Sequence, residues 1–193
     1  MRRPIAILAA LAAVLTLAAC GQTDDTLNFG SFSDCAKVGR PVQTADPAGD
    51  QRTSKAVEAG AEPKGDLLAL RVAKSPTQLC AEFTVAAPVR PYVAYVLTMR
   101  PQAADTPVVQ LEASVLAGQA PEVMLDATGT GRHFRKIKAT VGINGKRLSV
   151  LVARAPFDAA HVRAIFRSFR FQARSAVAAK DEGRLTDCMP ICE

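Results

Sequence analysis

The fold is decided by residues 137–152, which read Ile-Lys-Ala-Thr-Val-Gly-Ile-Asn-Gly-Lys-Arg-Leu-Ser-Val-Leu-Val. Asn144-Gly145 favours positive φ and therefore a two-residue type I′ turn. Pairing outward from this turn places three apolar pairs on one face, namely Val141 with Leu148, Ala139 with Val150, and Ile137 with Val152. On the other face we expect solvent-exposed side chains at Lys136, Lys138, Thr140, Arg147 and Ser149. The stretch therefore predicts an antiparallel hairpin with one buried face.

The same two-residue alternation continues in short apolar runs between Pro and Gly residues. One inward-facing set is Leu68, Leu70 and Val72, and a second is Leu79, Ala81, Phe83 and Val85. Residues 91–99 and 108–116 predict two more strands, the latter with Val109, Leu111, Ala113 and Val115 on one side. Seven or eight antiparallel strands of this length are typical of a sandwich, so we predict an all-β antiparallel β-sandwich.

Residues 158–176 carry two competing patterns. Val162, Ile165, Phe166 and Phe169 fit one face of a helix, whereas Phe169, Phe171 and Ala173 alternate as in a strand. We predict one short helix with Asp158 as its N-cap, followed by a strand from about Ser168.

The N-terminus has the organisation of a secretory signal. Arg2 and Arg3 precede an apolar run over residues 5–19, and the run ends in Leu17-Ala18-Ala19-Cys20. This ending resembles the bacterial lipobox. The resemblance implies cleavage after residue 19 and a diacylglyceryl group, with acyl chains such as palmitate, on Cys20. The alternative is a plain secretory signal followed by a chance Cys.

These features divide the chain into a lipoprotein signal peptide (residues 1–19), a flexible tether (20–34) and a β-sandwich domain (35–193). We expect a lipid-anchored protein on the extracytoplasmic face of the cell membrane, because acyl chains on one Cys hold a protein on a bilayer.

The length and net charge of the chain limit the classes of binding partner that we expect. With 193 residues, 49% of them apolar, the chain is long enough for one folded domain. It has 24 Lys plus Arg against 18 Asp plus Glu, and cleavage after residue 19 leaves a net charge of +4. Nucleic acid is excluded as a partner outside the cytoplasm, and weak attraction to the protein's own membrane is expected.

Cysteine usage predicts two disulfide bonds. Apart from Cys20 the chain has an even number of cysteines, which are Cys35, Cys80, Cys188 and Cys192. Four cysteines allow three pairings, and in two of these Cys35 and Cys80 each pair with a cysteine of the tail. Cys80 falls on the outward side of its strand, so its partner should lie over the outer face or edge of that sheet. A zinc site is the rival interpretation, and this spacing without a nearby His does not fit it.

Three short motifs carry a family resemblance. They are Asp46-Pro47-Ala48-Gly49-Asp50, the strand that starts at Asp66, and Phe169-Arg170-Phe171-Gln172-Ala173-Arg174-Ser175. Over residues 40–190 the chain resembles exported β-sandwich domains related to the DOMON and family 9 carbohydrate-binding modules. The resemblance implies the sandwich fold. The chain has no Trp, which separates it from the sugar-binding members.

Few residues have the chemistry of a site. Asp46, Asp50 and Asp66 could converge on Ca²⁺, which prefers carboxylate and carbonyl oxygens. The alternative is that Asp46 and Asp50 stabilise a β-turn. We expect no other cofactor.

The two histidines, His133 and His161, are expected at the surface. By analogy with haem-binding relatives, His133 with Met99 or Met124 is an alternative haem site, but the spacing of these residues in the sequence does not indicate one. Residues 129–131 read Gly-Thr-Gly and predict a turn.

Basic residues flank the central hairpin and are candidates for binding anionic lipid or an envelope polymer. They are Arg132, Arg135, Lys136, Lys138, Lys146 and Arg147. An ordinary solvated face is the alternative. We therefore expect a monomeric, non-catalytic binding or structural module of the cell envelope. An envelope hydrolase and a Ca²⁺-dependent carbohydrate-binding module remain the alternatives.

Overall fold

A computed structural model describes residues 29–46, 52–53, 65–101, 107–178 and 184–189. In chain order the strands in these ranges are β1 Val42–Ala45, β2 Arg52–Thr53, β3 Leu67–Lys74, β4 Gln78–Val85, β5 Val93–Pro101, β6 Val109–Val115, β7 Glu122–Asp126, β8 Arg135–Lys136, β9 Ala139–Asn144, β10 Arg147–Ala153, β11 Phe169–Ala178 and β12 Arg184–Met189. The helices are α1 Ala155–Ala159 and two 3₁₀ helices, Cys35–Lys37 and Arg163–Phe166.

Two antiparallel sheets pack face to face, as predicted. One has five strands in the order β1-β3-β4-β10-β9, and the other has seven in the order β2-β12-β11-β5-β6-β7-β8. Their inner faces meet in one apolar core, where the rings of Phe83 and Tyr95 lie 5.5 Å apart between centroids. The predicted all-β sandwich with one short helix is confirmed.

The alternation in β4 and β6 is confirmed, because every inward residue predicted for these two strands is buried. In β3 the prediction is wrong at Leu68, which is half-buried. A β-bulge between Leu67 and Ala69 shifts the register against β4, and Leu67 takes the inward position instead. The extra residue of a bulge changes which side chains face inward.

The central hairpin forms with the predicted buried face, but its register differs by two residues. Val141 pairs with Val150 and Ala139 with Val152. The loop residues are Gly145 and Lys146, and Gly145 has a φ of +60°, whereas a type I′ turn requires positive φ at both loop positions. Glycine with positive φ at the first loop position fits a type II′ turn. A shift of two residues keeps every side chain on its face, because the side-chain period of a strand is two.

The predicted pair of Ile137 with Val152 does not form. The Ile137 amide donates instead to the carbonyl of Val123 in the other sheet, at 2.9 Å. The chain therefore crosses from the edge of the seven-stranded sheet at β8 to the edge of the five-stranded sheet at β9.

The predicted helix start at Asp158 is wrong. Helix α1 begins after Arg154 and contains Asp158, whose carboxylate accepts from Arg154 Nε at 3.1 Å. Pro156 lies in the first turn, where its fixed φ suits a helix and its missing amide costs no hydrogen bond. The strand predicted from about Ser168 is confirmed, since β11 begins at Phe169.

A segment of residues 29–39, which we call the strap, crosses the outer face of the five-stranded sheet. Gly30 makes a parallel bridge to Gly142 on the free edge of β9, and the Ser33 amide donates to Ser149 Oγ at 2.9 Å. The sulfur atoms of Cys35 and Cys80 form a disulfide bond, with the two Cα atoms 5.3 Å apart. The partner of Cys80 thus lies over the outer face, as predicted, and it is Cys35 rather than a tail cysteine.

The strap corrects two expectations. Ser149, predicted to contact solvent, is fully buried because the strap covers it. Residues 29–34, assigned to the tether, lie against the sheet. Gly142 permits this close approach, since a Cβ atom there would overlap the backbone of Phe32.

We predict that the Cys35→Ala/Cys80→Ala variant loses about 4 kcal/mol of unfolding free energy, because the bond closes a loop of 45 residues in the unfolded chain. Urea unfolding of the variant and the wild type measures the loss. The double substitution leaves Cys188 and Cys192 intact, so it tests the Cys35–Cys80 bond alone. A reducing agent would instead act on every disulfide bond of the protein. Equal urea midpoints would contradict the prediction.

Candidate functional site

Glu82 is a buried carboxylate on the outer face of the five-stranded sheet. Its Oε1 atom lies 3.6 Å from Arg71 Nη1 and 3.4 Å from Arg147 Nη1, while the Glu82 side chain is only 3% exposed. The alternation of β4 directs Glu82 to the same face as Cys80, two residues away. Removal of a charge from water is unfavourable unless it is paired, and the two guanidinium groups supply that pairing.

The strap completes this ion cluster. The ring of Phe32 lies 4.8 Å from the Arg147 guanidinium carbon, a cation-π contact. On the opposite side, Gln43 Oε1 accepts from Arg71 at 3.3 Å. Glu82 therefore joins β4 to β3 and β10, and Arg147 extends this cluster to the strap. Glu82 is covered from solvent, so its arrangement suits a structural role rather than catalysis.

We predict that Glu82→Gln lowers the free energy of unfolding by about 1–3 kcal/mol, because it replaces the buried carboxylate that pairs with Arg71 and Arg147 by a neutral amide. The matched control is Glu122→Gln. Glu122 pairs with Lys136 at 2.6 Å on the surface, where a lost ion pair costs about 0–1 kcal/mol. Urea unfolding compares the two variants, and equal losses would contradict the buried role of Glu82.

A second buried carboxylate, Asp126, organises the loop of residues 127–134. Its Oδ1 accepts from both the amide and the hydroxyl of Thr128, each at 2.7 Å. Burial acts to raise the pKa of Asp126, but these bonds and the backbone amides of Gly131 and His133 outweigh it, and the pKa is lowered. The turn predicted at residues 129–131 is confirmed, with positive φ at Gly129 and Gly131.

Asp126→Asn should unfold more easily than the wild type at pH 7, by about 1.5–3 kcal/mol, as expected for hydrogen bonds to a charged group. The folded protein lowers the pKa of Asp126, so the ionised carboxylate stabilises above the unfolded-state value of about 4. This contribution is lost as the pH falls through the folded-state value. Urea unfolding from pH 7 to below about pH 4 should therefore show the difference narrowing. A difference in unfolding free energy between the two proteins that does not change with pH would contradict the stabilising role of the ionised Asp126 carboxylate.

The predicted metal ligands lie only partly in the described residues. Asp46 and Asp66 are both at the end of the sandwich where β1 ends and β3 begins, while Asp50 lies outside the described ranges. The backbone amide of Asp46 donates a hydrogen bond to the carbonyl of Leu68, and the backbone carbonyl of Asp66 accepts one from the amide of Ala86. Within the described ranges no group of three or more His, Cys, Asp or Glu residues is arranged to hold a metal ion. The Ca²⁺ site stays a prediction.

The other predicted cysteines are placed as follows. Cys188 is in β12, opposite Arg174 of β11, and its side chain is not described. Cys20 and Cys192 lie outside the described residues.

The residues considered for catalysis or haem binding differ in their exposure to solvent. His133 and His161 are exposed, and neither imidazole has a hydrogen bond or ion pair in the described part of the chain. Met99 is fully buried in the core, whereas His133 is on the surface loop after β7. The burial of Met99 in the core disfavours a haem site that it would share with the exposed His133.

The basic residues predicted to flank the hairpin do not form one patch. Arg147 belongs to the Glu82 cluster, and Lys136 pairs with Glu122. Lys146 is at the hairpin tip, whereas Lys138 lies at the opposite end of β9.

The end of the sandwich near Lys138 collects basic residues from several elements. We call this surface the cationic end and define it by six exposed residues: Arg100, Arg132, Arg135, Lys138, Arg163 and Arg167. Arg100, Arg163 and Arg167 are not in the basic set predicted around the hairpin, because they are far from it in sequence. The signal for two of them is the recurrence of Arg at positions 163, 167, 170 and 174.

Two hydrogen bonds fix the geometry of the cationic end. Lys74 Nζ donates to the carbonyl of Arg167 at 2.6 Å, and burial lowers the pKa of Lys74. Arg135 Nη2 donates to the carbonyl of Pro156 at 2.6 Å, which joins β8 to α1. Loops from both sheets are therefore held on one surface.

Comparison with protein families, with curated proteins and with solved structures finds no match for this chain. Among the described residues, no helix has the length and apolar character required to span a bilayer.

Proposed function

We propose that the protein is a lipid-anchored lipoprotein on the extracytoplasmic face of a bacterial cell membrane, where it acts as a non-catalytic binding or structural module of the envelope. The observation that carries the proposal is the N-terminal sequence. A basic start, an apolar run and Leu17-Ala18-Ala19-Cys20 occur in the order that a lipoprotein signal requires.

The disulfide bond supports export. Cys35 and Cys80 are bonded in the described structure, and such bonds persist mainly in oxidising compartments outside the cytoplasm. Both cysteines are fully buried, and the bond attaches the strap to the sheet. A role in the architecture of an exported domain agrees with this position.

The distribution of polar side chains supports binding rather than catalysis. The interior between the sheets is filled by apolar residues, and the buried carboxylates Glu82 and Asp126 are engaged in structural contacts. The two histidines are exposed. A non-catalytic module requires only the rigid scaffold and its exposed surfaces.

The mass of the intact protein tests the anchor. For protein purified from the membrane of its own cell, we expect a mass that lacks residues 1–19 and includes a diacylglyceryl group on Cys20. Cys20→Ala should carry no acyl mass, because it has no thiol to receive the lipid. Gln22→Ala, two residues away in the same segment, is the control and should be acylated. Wild-type protein without an acyl group, or with residues 1–19 retained, would overturn the proposal.

A further inference from the structure

We infer that the cationic end is a membrane-docking surface, which binds the anionic phosphate headgroups of the bilayer that holds the protein. This inference rests on the proposed lipid anchor. It adds an orientation, in which the cationic end faces the lipid and the hairpin tip points away from it.

The first observation is the direction in which the strap enters the structure. Gly30 pairs with Gly142 in a parallel bridge, so the strap runs in the same direction as β9 at this point. Strand β9 begins at Ala139, next to Lys138 of the cationic end, and finishes at the hairpin tip. Phe29, the first described residue, therefore lies on the side of Gly30 that is closer to the cationic end.

The second observation is the length of chain between the anchor and the strap. Ten peptide units separate Cys20 from Gly30. Even a fully extended chain of this length spans no more than about 35 Å. The side of the domain where the chain enters is thus restricted to the neighbourhood of the bilayer, while the rest of the domain can extend outward.

The third observation is charge. Six exposed Arg and Lys residues define the cationic end, and Asp158 is the one exposed acidic residue among the described residues there. Its carboxylate already pairs with Arg154. Each Lys or Arg near an anionic leaflet strengthens binding by about fivefold. Such attraction acts within about 8 Å at physiological salt, a distance that the anchor makes accessible.

The opposite end of the sandwich differs in character. It contains the hairpin tip and the loop with Tyr92, which is 50% exposed. Its described exposed basic residues are Arg90 and Lys146. With the cationic end on the lipid, this opposite end is the surface presented to the envelope.

Lysine footprinting on anchored protein tests the orientation. The full acylated protein is reconstituted into vesicles of phosphatidylcholine alone, or of equal parts phosphatidylcholine and phosphatidylglycerol, and treated with a membrane-impermeant acetylating reagent. Lys138 is the reporter, and Lys146 is the internal control at the other end of the same strand. In anionic vesicles we expect acetylation of Lys138 to slow at least fivefold and that of Lys146 to change less than twofold.

Charge reversal provides the second arm. Arg132→Glu/Arg163→Glu changes two exposed residues of the cationic end and should return Lys138 in anionic vesicles to the rate seen in phosphatidylcholine. The matched control, Arg90→Glu/Arg174→Glu, makes the same change in charge at exposed positions elsewhere and should retain the protection. Urea midpoints equal to that of the wild type show that both variants are folded.

The outcomes separate the two proposals. Equal acetylation of Lys138 in both vesicle types, stronger protection of Lys146, or loss of protection in both variants would overturn the docking surface. The intact mass of the same sample reports independently on the anchor. A chain without acyl mass refutes the lipid anchor, and the protection of Lys138 in its vesicle-bound fraction still decides whether the cationic end contacts lipid.

Discussion

The strap over the five-stranded sheet is the constraint on which the rest of the structure depends. It covers a sheet face that the alternating pattern leaves open to water, and it places Glu82 and Ser149 inside the protein. A buried carboxylate requires charged partners, so Arg71 and Arg147 must stay beside Glu82. The disulfide bond from Cys35 keeps this arrangement closed by joining the strap covalently to β4.

The strap also connects architecture with proposed function. If Cys20 carries the proposed lipid anchor, the chain that follows it reaches the domain at Gly30, beside the edge strand β9. This pairing occupies an edge that is otherwise open to other strands, a known liability of exposed sheets. It also sets the direction in which the strap runs beside β9. Under the proposed lipid anchor, this direction orients the domain on the bilayer.

Local patterns predicted the elements better than their pairing. The alternation in β4 and β6 identified the inward side chains, because that alternation reflects a single buried face. The hairpin register was off by two residues, since Asn144-Gly145 and Gly145-Lys146 both satisfy the apolar pattern. The start of α1 was misplaced because Asp158 has the chemistry of an N-cap, whereas Pro156 and the end of β10 determine where the helix begins.

The sequence by itself determined the fold class and the buried faces of β4, β6 and the central hairpin, because these depend on the order of neighbouring residues. The tertiary structure alone decided that Cys35 pairs with Cys80, that Glu82 is buried between two arginines, and that separate basic residues form the cationic end. Each of these joins residues distant along the chain. Contacts of that kind follow from how the sheets and the strap pack, and no local pattern encodes them.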